Sequence, residues 1–233
     1  MGEALKWSVA AAAVHLFTAL GIVCALFAML AVLAQAWEMV FLWLGVALVI
    51  DGVDGFFARL VDVGRRLPRF SGERLDHVID YVTYVFIPAL ALHQAGFLPG
   101  NGGLLLVALI LLSSLFHLSD LGNKSDDHCF VGFPAVWNIF AFYVFAFASP
   151  PPITMGGVLL CVVLTFVPMR WVHPLRVVAL RPVTAVLTLL WGLAAALTIW
   201  HGFPAHPAAL AVLAGVGLYG IGLSVIGPWR KAP

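Results

Sequence analysis

The chain has 233 residues, of which 63% are hydrophobic and only 10% are charged, with a net charge of +1 and a mean hydropathy of +1.05. Soluble domains carry roughly 25% charged residues, so that class is excluded. Disorder is excluded too, because it needs low hydrophobicity and high net charge. The near-neutral balance gives no bulk attraction to nucleic acid. Three scattered cysteines, Cys24, Cys129 and Cys161, suggest neither a disulfide framework nor a zinc site. What remains is an all-α polytopic membrane protein.

A membrane-crossing helix needs about 20 mostly apolar residues. In chain order, the runs that approach this are 9–34, 37–59, 76–96, 102–120, 133–149, 153–169, 182–200 and 206–226. They predict about eight transmembrane helices in one domain, 1–233, with no internal repeat. Breaks fall at Pro99–Gly103, Ser149–Pro152 and His201–Pro204. The two runs flanking the triple proline are short, and a merged or re-entrant segment there is an alternative. The first run follows Lys6 and exceeds the core of a cleaved signal peptide, so it is expected to remain as an anchor.

Basic residues set the orientation. With eight spans, all 12 fall at the termini or edge the loops after spans two, four and six: Lys6, then Arg59, Arg65, Arg66, Arg69 and Arg74, then Lys124, then Arg170, Arg176 and Arg181, and finally Arg230 and Lys231. The positive-inside rule makes that side cytoplasmic, with both termini there.

Ten of the eleven acidic residues share that side, Glu38 being the exception. Four of them, Asp51, Asp54, Asp76 and Asp80, lie within or beside apolar runs, where ionisable groups are costly and usually functional. On a helical wheel, Asp54, Ala58, Asp51 and Gly55 fall at about −60°, −20°, 0° and +40°, on one face. Asp76 and Asp80 are four apart and also share a face. Two carboxylates about 5 Å apart repel by about 3 kcal/mol at an effective dielectric of 20. A site gathering four must protonate or bind cations, and hard oxygen donors suit Mg²⁺ or Mn²⁺. Taken singly, such an Asp could instead pair helices, and Asp76 could cap a helix. Gly55, Ala58 and Gly72 either permit close helix packing or clear space for a ligand.

Together, Asp51-Gly52-Val53-Asp54-Gly55-Phe56-Phe57-Ala58-Arg59 and Gly72-Glu73-Arg74-Leu75-Asp76-His77-Val78-Ile79-Asp80 resemble the signature of the CDP-alcohol phosphotransferase superfamily, D-x-x-D-G-x-x-A-R followed by G-x-x-x-D-x-x-x-D. The spacer 60–71 has twelve residues, where eight are common in the superfamily. In that spacer, in Asp80–Pro88, in Gly132–Asn138 and in Val172–Arg176, the chain resembles the bacterial phosphatidylcholine synthase branch. The resemblance implies a six-helix catalytic core and transfer of a phosphatidyl group from CDP-diacylglycerol to choline, releasing CMP. It implies two divalent ions, Mn²⁺ or Mg²⁺, on Asp51, Asp54, Asp76 and Asp80, with Asp80 also the catalytic base. Gly55, Ala58, Arg59, Gly72 and Asp76 would bind CDP-diacylglycerol, although Arg59 could equally be a snorkelling helix-end arginine. A bacterial inner-membrane homodimer with a cytoplasmic active site is likewise implied.

The acceptor is less legible. A quaternary ammonium favours aromatic faces, which singles out Tyr81, Tyr84, Trp137 and Asn138, although interfacial Tyr and Trp also form anchoring belts. Arg66 and Arg69 are candidates for lipid phosphate. Asp120, Asp126, Asp127, His128 and His173 are weaker candidates in neighbouring loops. Serine, glycerol phosphate or inositol phosphate as acceptor, and a cation or choline transporter, are the competing readings.

Overall fold

A computed structural model describes residues 2–120, 130–171 and 181–226. The expected positions Lys124, Asp126, Asp127, His128, His173, Arg176, Arg230 and Lys231 lie outside them, as does Cys129. Ten α-helices are described: α1 (Gly2–Leu33), α2 (Trp37–Val61), α3 (Val63–Arg66), α4 (Gly72–Asp80), α5 (Ile87–Gln94), α6 (Gly100–Ser119), α7 (Trp137–Ala146), α8 (Pro151–Thr165), α9 (Arg181–His201) and α10 (Pro207–Ile226). A π-helical segment, Tyr81–Phe86, joins α4 to α5 in one continuous rod, Gly72–Gln94. Among the described residues, six helices are long and apolar enough to cross a membrane, this rod being one.

The other two expected spans are shorter. α7 has 10 residues and α8 has 15, rising about 15 Å and 22 Å against a core of roughly 30 Å. Proline explains the shortening. Pro134 disfavours helix at the residue before it, and the chain stays irregular to Val136. Pro151 and Pro152 then begin α8, where their missing N–H groups cost nothing. The hairpin is tied at its open end by a two-residue antiparallel ladder, β1 (Phe130–Val131) with β2 (Arg170–Trp171). Gly132, at φ +82°, lies directly beneath the Thr165 carbonyl, which any β-carbon would strike. Because the short helices come as a pair, counting them as crossing or re-entrant leaves the sidedness of the termini unchanged.

α1 packs along α2 through small residues. Ala11, Thr18, Gly21, Ala25, Ala28 and Val32 are buried at spacings of three, four and seven, while Leu16, Leu20, Val23, Phe27 and Leu30 face outward. Lipid is as apolar as leucine, so close backbone approach, not hydrophobicity, selects the inner face. One end of the bundle is an aromatic core. Phe41, Phe97 and Phe203 surround Phe145 with ring centroids 5.0, 4.8 and 5.5 Å away. Phe41 and Asp54 lie thirteen residues apart on α2, about 20 Å. The aromatic cluster thus fixes one end of α2 and leaves its other end free to build a polar site.

Candidate functional site

The polar end of α2 meets α1 and α4. Asp54 is only 8% exposed, and the Thr18 hydroxyl on α1 donates to its Oδ2 at 2.7 Å. Asp51 is half-buried and accepts a 2.7 Å hydrogen bond from the Tyr84 hydroxyl. α4 starts at Gly72, earlier than the sequence pattern suggests, because Ser71 caps it by accepting from the Arg74 N–H. Asp76 is therefore in the second turn and is not the cap. One turn later Asp80 closes α4, and the π-helical turn follows at once.

One carboxylate oxygen from each of Asp51, Asp76 and Asp80 lies within 4.8 Å of the others. That spacing fits oxygens placed around a hard cation at 2.0–2.6 Å. Asp54 stands outside this trio, because its position on α2 turns it toward α1 and Thr18. A cavity of about 10 Å³, room for one water-sized species, lies among Asp51, Asp54, Asp76 and Asp80, with Thr18 and Gly21 behind them. Gly21 brings the helices together: a β-carbon there would sit 2.7 Å from Ile79 Cγ2, between the two α4 carboxylates in sequence.

Asp54 and Asp76 also wall a second, open cleft of about 490 Å³, which contains Gly55, Ala58, Arg59 and Gly72. All five residues expected to bind the nucleotide lipid thus share one cleft. At Gly55 a β-carbon would approach Arg59 Nη1 to 3.3 Å, so the absent side chain lets the guanidinium fold back along the helix. Val63, Gly64 and Phe70, all from the long spacer, form its outer wall.

The residues singled out for choline separate. Tyr84 joins the carboxylates, whereas the Tyr81 hydroxyl donates to the Leu111 carbonyl on α6. Trp137 is fully buried, donates its indole N–H to Ser114 and packs edge-on to Phe133 and Phe140. Asn138 is buried, its side-chain oxygen accepting from the Ile139 N–H. Neither residue lines the two cavities. Arg66 reaches inward, donating to the Val61 carbonyl and stacking 4.3 Å over Trp7, while Arg69 is exposed. Sequence reasoning missed Thr18, Gly21 and His15, whose signal was a small or polar residue every third position along one face of an apolar helix.

No protein-family model matches the chain. Individual relatives do. The phosphatidylcholine synthase of Bradyrhizobium diazoefficiens is 45% identical over 211 residues, 90% of this chain and 79% of that one. The chain belongs to the phosphatidylcholine synthase family. A second member, from Pseudomonas aeruginosa, is 40% identical over 223 residues, covering 94% and 91% of the two chains. A third, from Mesorhizobium japonicum, is 44% identical over 178 residues, 76% of this chain and 66% of its own. For this member of the phosphatidylcholine synthase family, the twelve-residue spacer is a structural part, since it supplies α3 and the outer wall of the cleft.

Proposed function

We propose that this chain transfers the phosphatidyl group of CDP-diacylglycerol to choline, yielding phosphatidylcholine and CMP. The observation that carries the reading is the convergence of Asp51, Asp76 and Asp80 within 4.8 Å beside the cleft that holds Gly55, Ala58, Arg59 and Gly72. The printed names of the relatives point the same way.

Asp51, Asp54, Asp76 and Asp80 would hold two divalent ions, Mn²⁺ or Mg²⁺. When bound, such ions neutralise the pyrophosphate and the departing CMP. The protein's own groups do the rest. The glycines and Ala58 give the phosphates access to the backbone, and Arg59 offers charge-assisted hydrogen bonds to them. Asp80 accepts the choline hydroxyl proton as that oxygen attacks the phosphatidyl phosphorus and the phosphorus–oxygen bond to CMP breaks. Tyr84 keeps Asp51 oriented through its hydroxyl, and its ring offers the quaternary ammonium an aromatic surface beside the carboxylates. Tyr81, Trp137 and Asn138 serve this reading as packing residues that hold α7 and the π-helical segment in place.

The sorting of basic residues supports a cytoplasmic site and cytoplasmic termini at a bacterial inner membrane. Family resemblance supports a homodimer. The test is to supply purified protein with CDP-diacylglycerol, Mn²⁺ and a panel of alcohols, then identify the lipid formed. Phosphatidylcholine from choline alone is the expected result. Phosphatidylserine or phosphatidylglycerophosphate would overturn the acceptor and keep the site, and no lipid product with any alcohol would overturn the transferase reading.

A further inference from the structure

Two aromatic side chains in the cleft belong to no part of the acidic motif. His15 sits on α1, one turn before Thr18, and Phe70 lies in the spacer just before α4; both line the cleft. Their ring centroids are 6.4 Å apart with planes inclined at 57°. Gly72 seats the imidazole, since a β-carbon there would stand 3.2 Å from His15 Cε1 and 3.6 Å from Nδ1. His15 Nε2 is buried and has no hydrogen-bond partner among the described residues. A buried ring nitrogen left unpaired calls for an explanation, and a ligand that completes it is one. Phe70 is 63% exposed, a ring face held at the wall of a polar cleft.

Position along the cleft separates these two residues from the phosphate-binding end. Thr18 is bonded to Asp54, and His15 lies about 4.5 Å further along α1, away from the carboxylates. In CMP the base is the part most distant from the reacting pyrophosphate. We propose that His15 and Phe70 form the base-recognising corner of the cleft, Phe70 stacking on the pyrimidine and His15 Nε2 hydrogen-bonding its edge. This rests on the reading of the cleft as the seat of the CMP half of CDP-diacylglycerol.

The experiment is equilibrium binding of CMP, UMP and AMP to the purified full chain in Mn²⁺ buffer. The expected wild-type order is CMP ahead of UMP and AMP. His15→Ala is expected to weaken CMP by about tenfold, the worth of one hydrogen bond, and to shrink the CMP-over-UMP preference. His15→Gln, whose amide reaches the place of Nε2, should restore both, whereas His15→Leu, which fills the volume without a polar atom, should restore neither. Phe70→Ala should weaken CMP and UMP alike by at least about fivefold, as loss of a stacking partner does. Wild-type affinity and preference in His15→Leu would make His15 a packing residue and overturn the proposal, as would equal wild-type binding of CMP and UMP. Failure of the wild-type chain to bind any of the three nucleotides would instead overturn the nucleotide reading of the cleft.

Discussion

A carboxylate that is 8% exposed in an apolar helix needs a donor, and Asp54 obtains it from Thr18 across the α1–α2 seam. Thr18→Val keeps the shape and removes the hydroxyl. A hydrogen bond to a charged group contributes about 1.5–3 kcal/mol, so a clear drop in thermal stability in detergent is expected, with Thr18→Ser restoring it. Asp80→Asn is expected to abolish transfer while leaving insertion and folding intact; near wild-type turnover would remove Asp80 from the role of base. Exhaustive chelation should likewise stop turnover, and added Mn²⁺ or Mg²⁺ should recover it, whereas full activity after chelation would contradict a metal role for the trio. The acidic residues and the motif glycines were legible in the sequence because ionisable groups in apolar runs stand out. Thr18 was not, since a helical threonine ordinarily bonds its own chain four residues back, as Thr83 does to the Ile79 carbonyl and Thr198 to that of Ala194. Thr18 has that local partner too, the Val14 carbonyl at 3.3 Å, and nothing in sequence shows that its hydroxyl also reaches Asp54.

Among the elements, the π-helical segment has a readable cause. Pro88 offers no N–H to the Tyr84 carbonyl and would clash with it in a regular α-helix, and the chain widens so that Ile87 bonds back to the Val82 carbonyl. Such turns recur at functional sites, and this one presents Tyr84 to Asp51 directly after Asp80. The α1–α4 crossing is the second controlling contact. Gly21→Ala would place a methyl group 2.7 Å from Ile79 Cγ2. Overpacking of this kind costs about 1–3 kcal/mol, and here it also pushes away the helix that carries Asp76 and Asp80. Loss of activity and stability is expected from Gly21→Ala, with substantial recovery in the double variant Gly21→Ala/Ile79→Ala. Additive losses in the double variant would show that Ile79 is not the obstacle. Apart from α1, which begins at Gly2 and not at 9, the long helices were predicted to within a few residues, because hydropathy and proline punctuation mark their ends. The start of α4 was not, since it depends on a serine cap inside a polar stretch.

For the molecule as a whole, sidedness follows from charge and the distribution of work from packing. Among the described residues, aromatic rings fasten one end while the other carries Asp51, Asp54, Arg59, Asp62, Arg65, Arg66, Arg69, Glu73, Arg74, Asp76 and Asp80. In a variant without native cysteines, Ala34→Cys, exposed between α1 and α2, should react with an impermeant thiol reagent on intact cells. Arg69→Cys, exposed beside the cleft, should react only after permeabilisation, and the opposite pattern would invert the topology. Which faces turn inward could not be read from hydropathy, because lipid and protein interior are equally apolar.

The brevity of α7 has a bearing on biogenesis. Ten residues, seven of them buried against neighbouring helices, are too few to partition from the translocon into bilayer on their own merit. Their natural solvent is the rest of this protein. The hairpin therefore depends on α5 and α6 for the surfaces it packs against, and the ladder between β1 and β2 closes its open end.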